Sequence, residues 1–192
     1  MTLDDKALLS QIAGGDRAAF DALYRRHYPR LFRFILRLTS RHDMVEEILN
    51  DTMLAVWRQA VGFEYRSRVS TWMLGIAYRQ TMKRLDRSER EPRTVSVEEV
   101  EVPDVERLDR QVEAKERQRR LLKALSRLPA TQRVVVELTL FHGLSYREIA
   151  TLVDCPEGTV KTRMFHAREQ LKKRLAPSRP APNPQPSNEI GR

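Results

Sequence analysis

Apolar side chains recur every three or four residues along most of this chain of 192 residues, a spacing that places them on one face of an α-helix. The strict alternation of apolar and polar residues that is typical of strands is scarce, and only 7 residues are glycine. The pattern therefore predicts an all-α fold. The apolar stripes fall in two blocks, residues 1–95 and 114–176, and each block is long enough to form a small helical domain.

An acidic segment separates the two blocks. Residues 96–113 contain seven carboxylates and two arginines, with a proline at position 103 and no sustained apolar stripe. This composition predicts an extended, flexible linker that tethers two domains in the free protein. Residues 177–192 are rich in proline, serine and asparagine, which predicts a disordered tail.

The net charge of +9 narrows the class of partner. Residues 114–176 alone hold fourteen basic and six acidic side chains, a balance that favours a polyanion, either nucleic acid or an anionic membrane surface. Direct membrane insertion is not expected, because no apolar run approaches the roughly 20 residues that span a bilayer. A single cysteine rules out an internal disulfide, and the N-terminus lacks a signal pattern, so a cytoplasmic location is expected.

The first block predicts four helices. Side-chain oxygens that can cap a helix N-terminus stand ahead of three of the apolar stripes, at Thr2 or Asp4, Asp16 and Asp43. Pro29 lies inside the second stripe and is expected to kink or break that helix. Trp57 and Trp72 fall on apolar stripes, so both are expected to be core residues rather than stacking platforms.

The second block predicts a helix-turn-helix. A charged helix near residues 105–127 ends before Pro129, and a second helix follows it. Ser145 and Glu148 then form a capping-box pattern ahead of a short helix, and Pro156 suits the first position of the next one. Two short helices joined by a tight turn make this motif.

The last helix, which begins within the stretch DCPEGTVKTRMFHAR, has a polar outer face. Its apolar stripe, formed by Val160, Met164, Ala167, Leu171 and Leu175, is expected to pack inward, and hydrogen-bond donors fill the opposite arc. A helix N-terminus favours phosphate through its free N–H groups, and side chains one turn further on can reach base edges in a major groove. The alternative is an ordinary solvent-facing helix, but the sharp start of the helix and the basic block favour DNA reading.

Three segments of the chain carry a family resemblance. FDALYRRHYPRLFRFILRLT is followed by DMVEEILNDTMLAVWRQAVGFEYRSRVSTWMLGIAYR and, beyond the acidic segment, by GLSYREIATLVDCPEGTVKTRMFHAREQLKKRL. In this order they resemble the N-terminal and C-terminal domains of extracytoplasmic-function (ECF) sigma factors, which belong to the sigma-70 family. A helix-turn-helix alone is a weak signal, whereas three matching segments that cover about residues 10–175 are a strong one.

The resemblance implies a non-enzymatic protein without a cofactor that directs core RNA polymerase to promoters. Residues 1–95 would form sigma region 2, which docks on the clamp helices of the largest polymerase subunit and reads the −10 element as a melted single strand. Residues 114–176 would form region 4, which reads the −35 element as duplex DNA and touches the flap of the second-largest subunit. Many relatives also bind an anti-sigma factor. The acidic linker either mimics RNA charge in the polymerase channel or merely solubilises the chain.

The resemblance assigns three sets of site residues. Those for polymerase docking share one helix face by three- and four-residue spacing, with a plain solvated face as the alternative: Glu47, Asn50, Asp51 and Leu54. Those for the −10 strand mix aromatic rings, hydroxyls and basic side chains: Phe63, Tyr65, Arg66, Ser67, Arg68, Ser70, Thr71, Arg79 and Lys83. Those for the −35 duplex are expected to contact base edges or phosphates: Arg147, Thr159, Lys161, Thr162, Arg163, Phe165, His166 and Arg168.

Other functions fit the sequence less well. A response-regulator-type transcriptional regulator would share the C-terminal helix-turn-helix, but it needs an α/β receiver domain, and the first block shows no alternation of strand and helix patterns. A hydrolase built on Cys155 with His142 or His166 would lack an orienting third group and a Gly-rich oxyanion turn. His27 and His42 are too isolated in the sequence to suggest a metal site.

Overall fold

The computed structural model describes residues 3–90 and 112–176, and the regular elements of these residues are all helical. The α-helices are α1 Asp5–Ala13, α2 Arg17–Thr39, α3 Val45–Gln59, α4 Val69–Arg90, α5 Val112–Ser126, α6 Ala130–Leu140, α7 Tyr146–Val153 and α8 Glu157–Leu175. Short 3-10 turns at His42–Met44 and Ala60–Gly62 flank α3. The predicted all-α class is confirmed. The predicted tail at 177–192, Thr2 and most of the predicted linker lie outside the described residues.

Helices α1–α4 of the first block enclose an apolar core. Each contributes side chains with almost no exposed surface, among them Leu9 from α1, Phe34 from α2, Leu49 from α3 and Met73 from α4. Burying one such side chain contributes about 1.5–3 kcal/mol relative to leaving it in water. This packing fixes which faces of α3 and α4 remain turned outward. Within the described residues, no helix has the length and apolar character needed to cross a membrane.

Two of the three helix caps predicted for the first block form and one does not. The carboxylate of Asp4 accepts a hydrogen bond of 2.8 Å from the amide of Ala7, and that of Asp16 accepts from the amides of Ala18 and Ala19 in the first turn of α2. The prediction that Asp43 caps α3 is wrong, because Met44 holds the N-cap position and no side chain bonds there. The 3-10 turn His42–Met44 precedes α3 and includes Asp43, so Asp43 does not stand at the N-cap position, and its carboxylate meets the guanidinium of Arg41 at 2.6 Å.

Helix α2 continues through Pro29, so the predicted break is wrong. A proline inside a helix costs about 3 kcal/mol, through one lost hydrogen bond and a clash of its ring with the preceding turn. The stripe on both sides of Pro29 offsets this cost, since Leu23, Leu31 and Phe34 are at most 1% exposed. Pro29 itself faces solvent. The packing of the apolar stripe therefore keeps α2 helical through this position.

Both tryptophans pack on the core of the first block but remain half-buried. Trp57 meets Phe20 edge to face, with ring centroids 5.3 Å apart. Trp72 lies 4.6 Å from the ring of Phe63. Each indole ring is thus partly buried and partly exposed. This is less burial than the sequence predicted for core residues.

The second block contains the predicted helix-turn-helix, formed by α7 and α8. Ser145 and Glu148 make both bonds of the capping box at the start of α7, which confirms that prediction. The turn after α7 contains Asp154 in a left-handed conformation, with φ 52°. Pro156 stands one position earlier than predicted, just before the first residue of α8. The predicted inward stripe of α8 is buried at Val160, Met164 and Ala167. Leu171 is half-buried, and the prediction that Leu175 packs inward is wrong, because it is 42% exposed in the last turn of the helix.

The two blocks pack on each other, with α2 against α6 and α4 against α7. Arg37 forms an ion pair of 2.8 Å with Glu137, and Arg133 donates to the carbonyl of Arg37 and to the hydroxyl of Ser40. This arrangement differs from the expectation of domains that are only tethered. The contacts join single residues about 100 positions apart in the sequence. They could not be predicted from the linker, because its composition carries no information about contacts between other residues.

Candidate nucleic-acid and polymerase interfaces

The outer face of α8 carries four of the residues predicted to read duplex DNA. Lys161, Thr162, Phe165 and His166 are all exposed, because the opposite face of the helix is buried against the rest of the block. The side chain of Phe165 is 62% exposed, and its ring meets that of His166 edge-on at 5.5 Å. The face therefore offers a cation, a hydroxyl, an imidazole and an apolar ring, which together match the donor, acceptor and methyl pattern of a major groove.

Two of these side chains are already engaged within α8. The ammonium of Lys161 lies 2.8 Å from a carboxylate oxygen of Glu157, and this hydrogen bond raises the pKa of Lys161. The hydroxyl of Thr162 donates to the carbonyl of Gly158 at 3.0 Å. Glu157 was not among the residues predicted from the sequence, although a glutamate four residues before a lysine on a helix is a recognisable pairing signal.

The other residues predicted for the −35 element divide into two groups. Arg147 at the start of α7 and Arg168 on α8 are exposed. Thr159 and Arg163 are half-buried, and a guanidinium nitrogen of Arg163 lies 3.7 Å from the sulfur of Cys155. Arg163 thus contacts the turn that precedes α8 and is less exposed than Phe165.

The loop between α3 and α4 presents aromatic rings and arginines. The half-buried ring of Phe63 lies 4.9 Å from the ring of Tyr65, which is 42% exposed. Tyr65 has a positive φ of 56°, an uncommon conformation for a tyrosine. Arg66 pairs with Glu64 at the surface, and Ser67 and Arg68 are exposed.

Helix α4 extends this surface but is partly covered by the second block. Arg79 and Lys83 are exposed, and Ser70 and Thr71 are half-buried. A Cβ atom placed on Gly75 would lie 3.6 Å from Leu152 of α7. The predicted single-strand surface and the helix-turn-helix are therefore neighbours in this conformation.

Helix α3 turns the predicted polymerase-docking face to solvent. Asn50 and Asp51 are exposed, and Leu54 beside them is 46% exposed. Glu47 is also exposed, and its carboxylate holds Arg84 of α4 at 3.0 Å. The four predicted residues thus share one surface that combines carboxylates, an amide and an aliphatic side chain.

A polar cluster between the blocks went unrecognised in the sequence. Arg30 donates to Nδ1 of His142 at 2.9 Å, and His142 packs edge-on against Phe34 at 5.3 Å. Glu137 is only 2% exposed, and burial raises its pKa against the opposing effect of Arg37. A charged residue inside the apolar run VVVEL of α6 was the available signal, because a buried carboxylate needs a partner.

The alternative functions find no support in the described residues. These residues contain no strand, whereas a receiver domain needs a parallel sheet. No group of three or more potential ligands in the described ranges could hold a metal ion. Cys155 contacts the guanidinium of Arg163 and His142 accepts from Arg30, so neither is arranged as a member of a nucleophile–base pair.

Comparison with known proteins gives matches over both blocks. Residues 23–91 match the family Sigma-70 region 2, and residues 118–171 match Sigma-70, region 4. The chain is 38% identical over 172 residues to the ECF RNA polymerase sigma factor SigM of Mycobacterium tuberculosis strain H37Rv, covering 89% of this chain and 84% of that protein. It is 28% identical over 184 residues to the ECF RNA polymerase sigma-E factor of Haemophilus influenzae, covering 91% and 97%.

Among solved structures, the chain resembles the sigma factor RpoE from Bartonella quintana, which was determined in complex with the anti-sigma factor NepR. The TM-score is 0.62 at 28% sequence identity, and the match covers 83% of this chain and 98% of that one. The structural similarity therefore includes both blocks, in the same order along the chain.

Proposed function

Because the chain belongs to the ECF sigma factors of RNA polymerase, which direct transcription initiation and are not enzymes, we propose how its surfaces divide that task. Helix α8 enters the major groove of the −35 element, which it reads as duplex DNA. The loop after α3, together with α4, captures the −10 element as a single strand. The outward face of α3 docks on core polymerase.

The composition of the outer face of α8 carries this proposal. Lys161 can donate to O6 and N7 of guanine, and the exposed ring of Phe165 can pack on a thymine methyl. The free N–H groups at the start of α8 favour a phosphate. Arg147 and Arg168, exposed on either side, suit phosphates that set the position of the helix rather than the sequence it reads.

A promoter-variant library tests the assignment of α8. We expect Lys161→Ala to cost about 1–3 kcal/mol and to relax the preference at one position of the −35 element. Arg147→Ala should weaken all sites alike and reduce the salt slope by about one unit. The measurement is holoenzyme binding across the library, with Lys173→Ala near the exposed end of α8 as the matched control.

One outcome would overturn this assignment. If the combined Lys161, Thr162 and His166 alanine variant keeps the −35 preference of the wild-type protein, α8 does not read the sequence. A uniform loss of activity at every promoter would instead indicate a fault in docking or folding.

The partners follow from the same division of surfaces. Core RNA polymerase would contact α3 through the clamp helices of its largest subunit and the second block through the flap of its second-largest subunit. Promoter DNA would contact α4 and α8. The complex of the Bartonella quintana relative with NepR supports an anti-sigma factor as a further partner of this chain.

A further inference from the structure

A cleft of about 310 Å³ lies where α2 of the first block meets the end of α6 in the second. Three arginines of α2, Arg30, Arg33 and Arg37, line one side of it. Their three- and four-residue spacing places them on one face of the helix. Glu137, Phe141 and His142 line the other side. The cleft therefore belongs to both blocks, and domain interfaces are preferred locations for small-molecule sites.

Two of the three arginines are engaged across the cleft and one is not. Arg30 donates to His142 at 2.9 Å, and Arg37 pairs with Glu137 at 2.8 Å. Arg37 also stacks over the ring of Phe141, 4.0 Å from its centroid. Arg33 is exposed and makes no hydrogen bond or ion pair with the residues that the structure describes.

The cleft carries more positive than negative charge. Glu137 is the one carboxylate among the lining residues, against three guanidinium groups. His142 does not add a charge, because Arg30 donates to its Nδ1 and that nitrogen must therefore hold a lone pair. Burial, followed by the charges of Arg30, Arg37 and Arg33, lowers the pKa of His142 to about 4. An anion in the cleft would relieve the repulsion that these groups impose on one another.

We propose that this cleft binds a small molecule bearing one or two phosphate groups, and that the bound anion holds the two blocks together. Guanidinium groups donate paired hydrogen bonds that match phosphate oxygens. Arg33 has all its donors free for such a ligand, and the ring of Phe141 is 41% exposed beside it, where an organic part of the ligand can pack. Since α2 and α6 supply opposite walls, a ligand that contacts both favours the packed arrangement.

The test uses the full-length protein and pyrophosphate as the probe. Isothermal titration should show saturable binding that matched additions of chloride at equal ionic strength do not produce. Arg33→Ala should weaken binding by tenfold or more, because it removes a donor fork without breaking a contact between the blocks. Arg25→Ala is the matched control, since Arg25 lies on the same helix but pairs with Asp21 at the surface, and it should stay within twofold of the wild-type protein.

Three results would overturn the proposal. The first is no saturable binding above the chloride control, and the second is an equal loss in Arg25→Ala and Arg33→Ala, which would indicate general charge screening. The third is displacement of pyrophosphate by a short DNA duplex without promoter elements, which would assign the cleft to DNA phosphates.

A second measurement tests whether the bound anion holds the two blocks together. Pyrophosphate should raise the melting temperature of the wild-type protein and leave that of Arg33→Ala unchanged. An equal rise in both proteins would contradict this link.

Discussion

The neighbours of one residue, His142, shift the pH at which its side chain becomes charged. Its side chain is 5% exposed, and burial together with three nearby arginines lowers its pKa to about 4. The ring is therefore neutral at pH 7. Its approach to Glu137 at 3.8 Å is accordingly not an ion pair, although the distance alone would allow one.

Acidification should therefore destabilise the protein through His142. In the unfolded chain a histidine binds its proton near pH 6.5, whereas in the folded chain it does so only near pH 4. Above pH 6.5 the histidine is neutral in both states and does not change the free energy of unfolding with pH. As the pH falls from 6.5 to 4, only the unfolded chain binds this proton, and the free energy of unfolding decreases by roughly 3 kcal/mol at most. Glu137, whose pKa is raised, binds its proton more readily in the folded state and offsets part of this loss at the acidic end.

Urea unfolding at several pH values between 7.5 and 4.5 measures this effect. The free energy of unfolding should fall more steeply with acidity for the wild-type protein than for His142→Gln. His166→Gln, which changes an exposed imidazole, is the control and should follow the wild-type curve. Identical slopes for wild type and His142→Gln would show that another group titrates.

A second residue, Tyr65, carries a prediction about promoter opening. Its exposed ring stands beside Phe63, where an unpaired base could stack for roughly 1–3 kcal/mol. Tyr65→Ala should slow open-complex formation on a duplex promoter and have a smaller effect on a pre-melted template. Tyr65→Phe keeps the stacking surface and should behave like the wild-type protein. An equal defect on both templates would place the fault in docking or folding.

At the scale of one helix, α3 separates its structural and its proposed docking roles onto two faces. Its inward face holds Ile48, Leu49 and Val56, each at most 1% exposed. Its outward face bears Asp51 and Leu54. A substitution on the outward face should therefore alter binding without altering the fold.

Reversing one charge on α3 tests this separation. Asp51→Lys should weaken retention on immobilised core polymerase, because it replaces a carboxylate on the proposed contact surface by a cation. Circular dichroism should stay unchanged. Asp21→Lys, an equal charge reversal on the exposed face of α2, is the control. Unchanged retention of Asp51→Lys would exclude this face from docking.

The elements that the sequence predicted best are those fixed by local chemistry. The capping box of Ser145 and Glu148 depends on two side chains three residues apart, and it is present as predicted. Pro29 and Asp43 were predicted wrongly for different reasons. Burial of the stripe outweighs the cost of Pro29, whereas a 3-10 turn that includes Asp43 moves the start of α3 past it, and Asp43 binds the guanidinium of Arg41.

At the scale of the whole molecule, Arg133 is the residue that most directly fastens one block to the other. It reaches from α6 to the hydroxyl of Ser40 at 2.6 Å and to the carbonyl of Arg37 at 3.2 Å. It also donates to Leu128 within its own block, while its buried Nε has no partner among the described residues. Burial lowers the pKa of Arg133.

Removing this contact should loosen the packed arrangement. Hydrogen bonds from a charged donor contribute about 1.5–3 kcal/mol each, so Arg133→Ala should shift the molecule toward separated blocks. Small-angle X-ray scattering should then give a larger radius of gyration. Arg127→Ala, at an exposed position shortly before α6, is the control and should leave the radius unchanged. The same radius in both variants would mean that the remaining contacts suffice to hold the blocks.

The packing of the two blocks was not predictable from local patterns. It depends on which charged side chains meet after each block has folded, as Arg37 meets Glu137. The spacing of Arg30, Arg33 and Arg37 showed that they share a face, but it did not show what that face contacts. The residues of the proposed DNA surface on α8 were easier to identify, because a helix-turn-helix fixes which side of its second helix is buried.

The contact between Arg37 and Glu137 joins positions 100 residues apart, and this separation has a consequence during protein synthesis. A ribosome adds about 5–20 residues per second, so roughly 5–20 s pass between the synthesis of the two partners. Throughout that interval the α2 face that later contacts His142 and Glu137 has no partner from α6. The nascent first block therefore leaves the ribosome with an uncovered basic surface. Its partners on that surface are synthesised only in the last third of the chain.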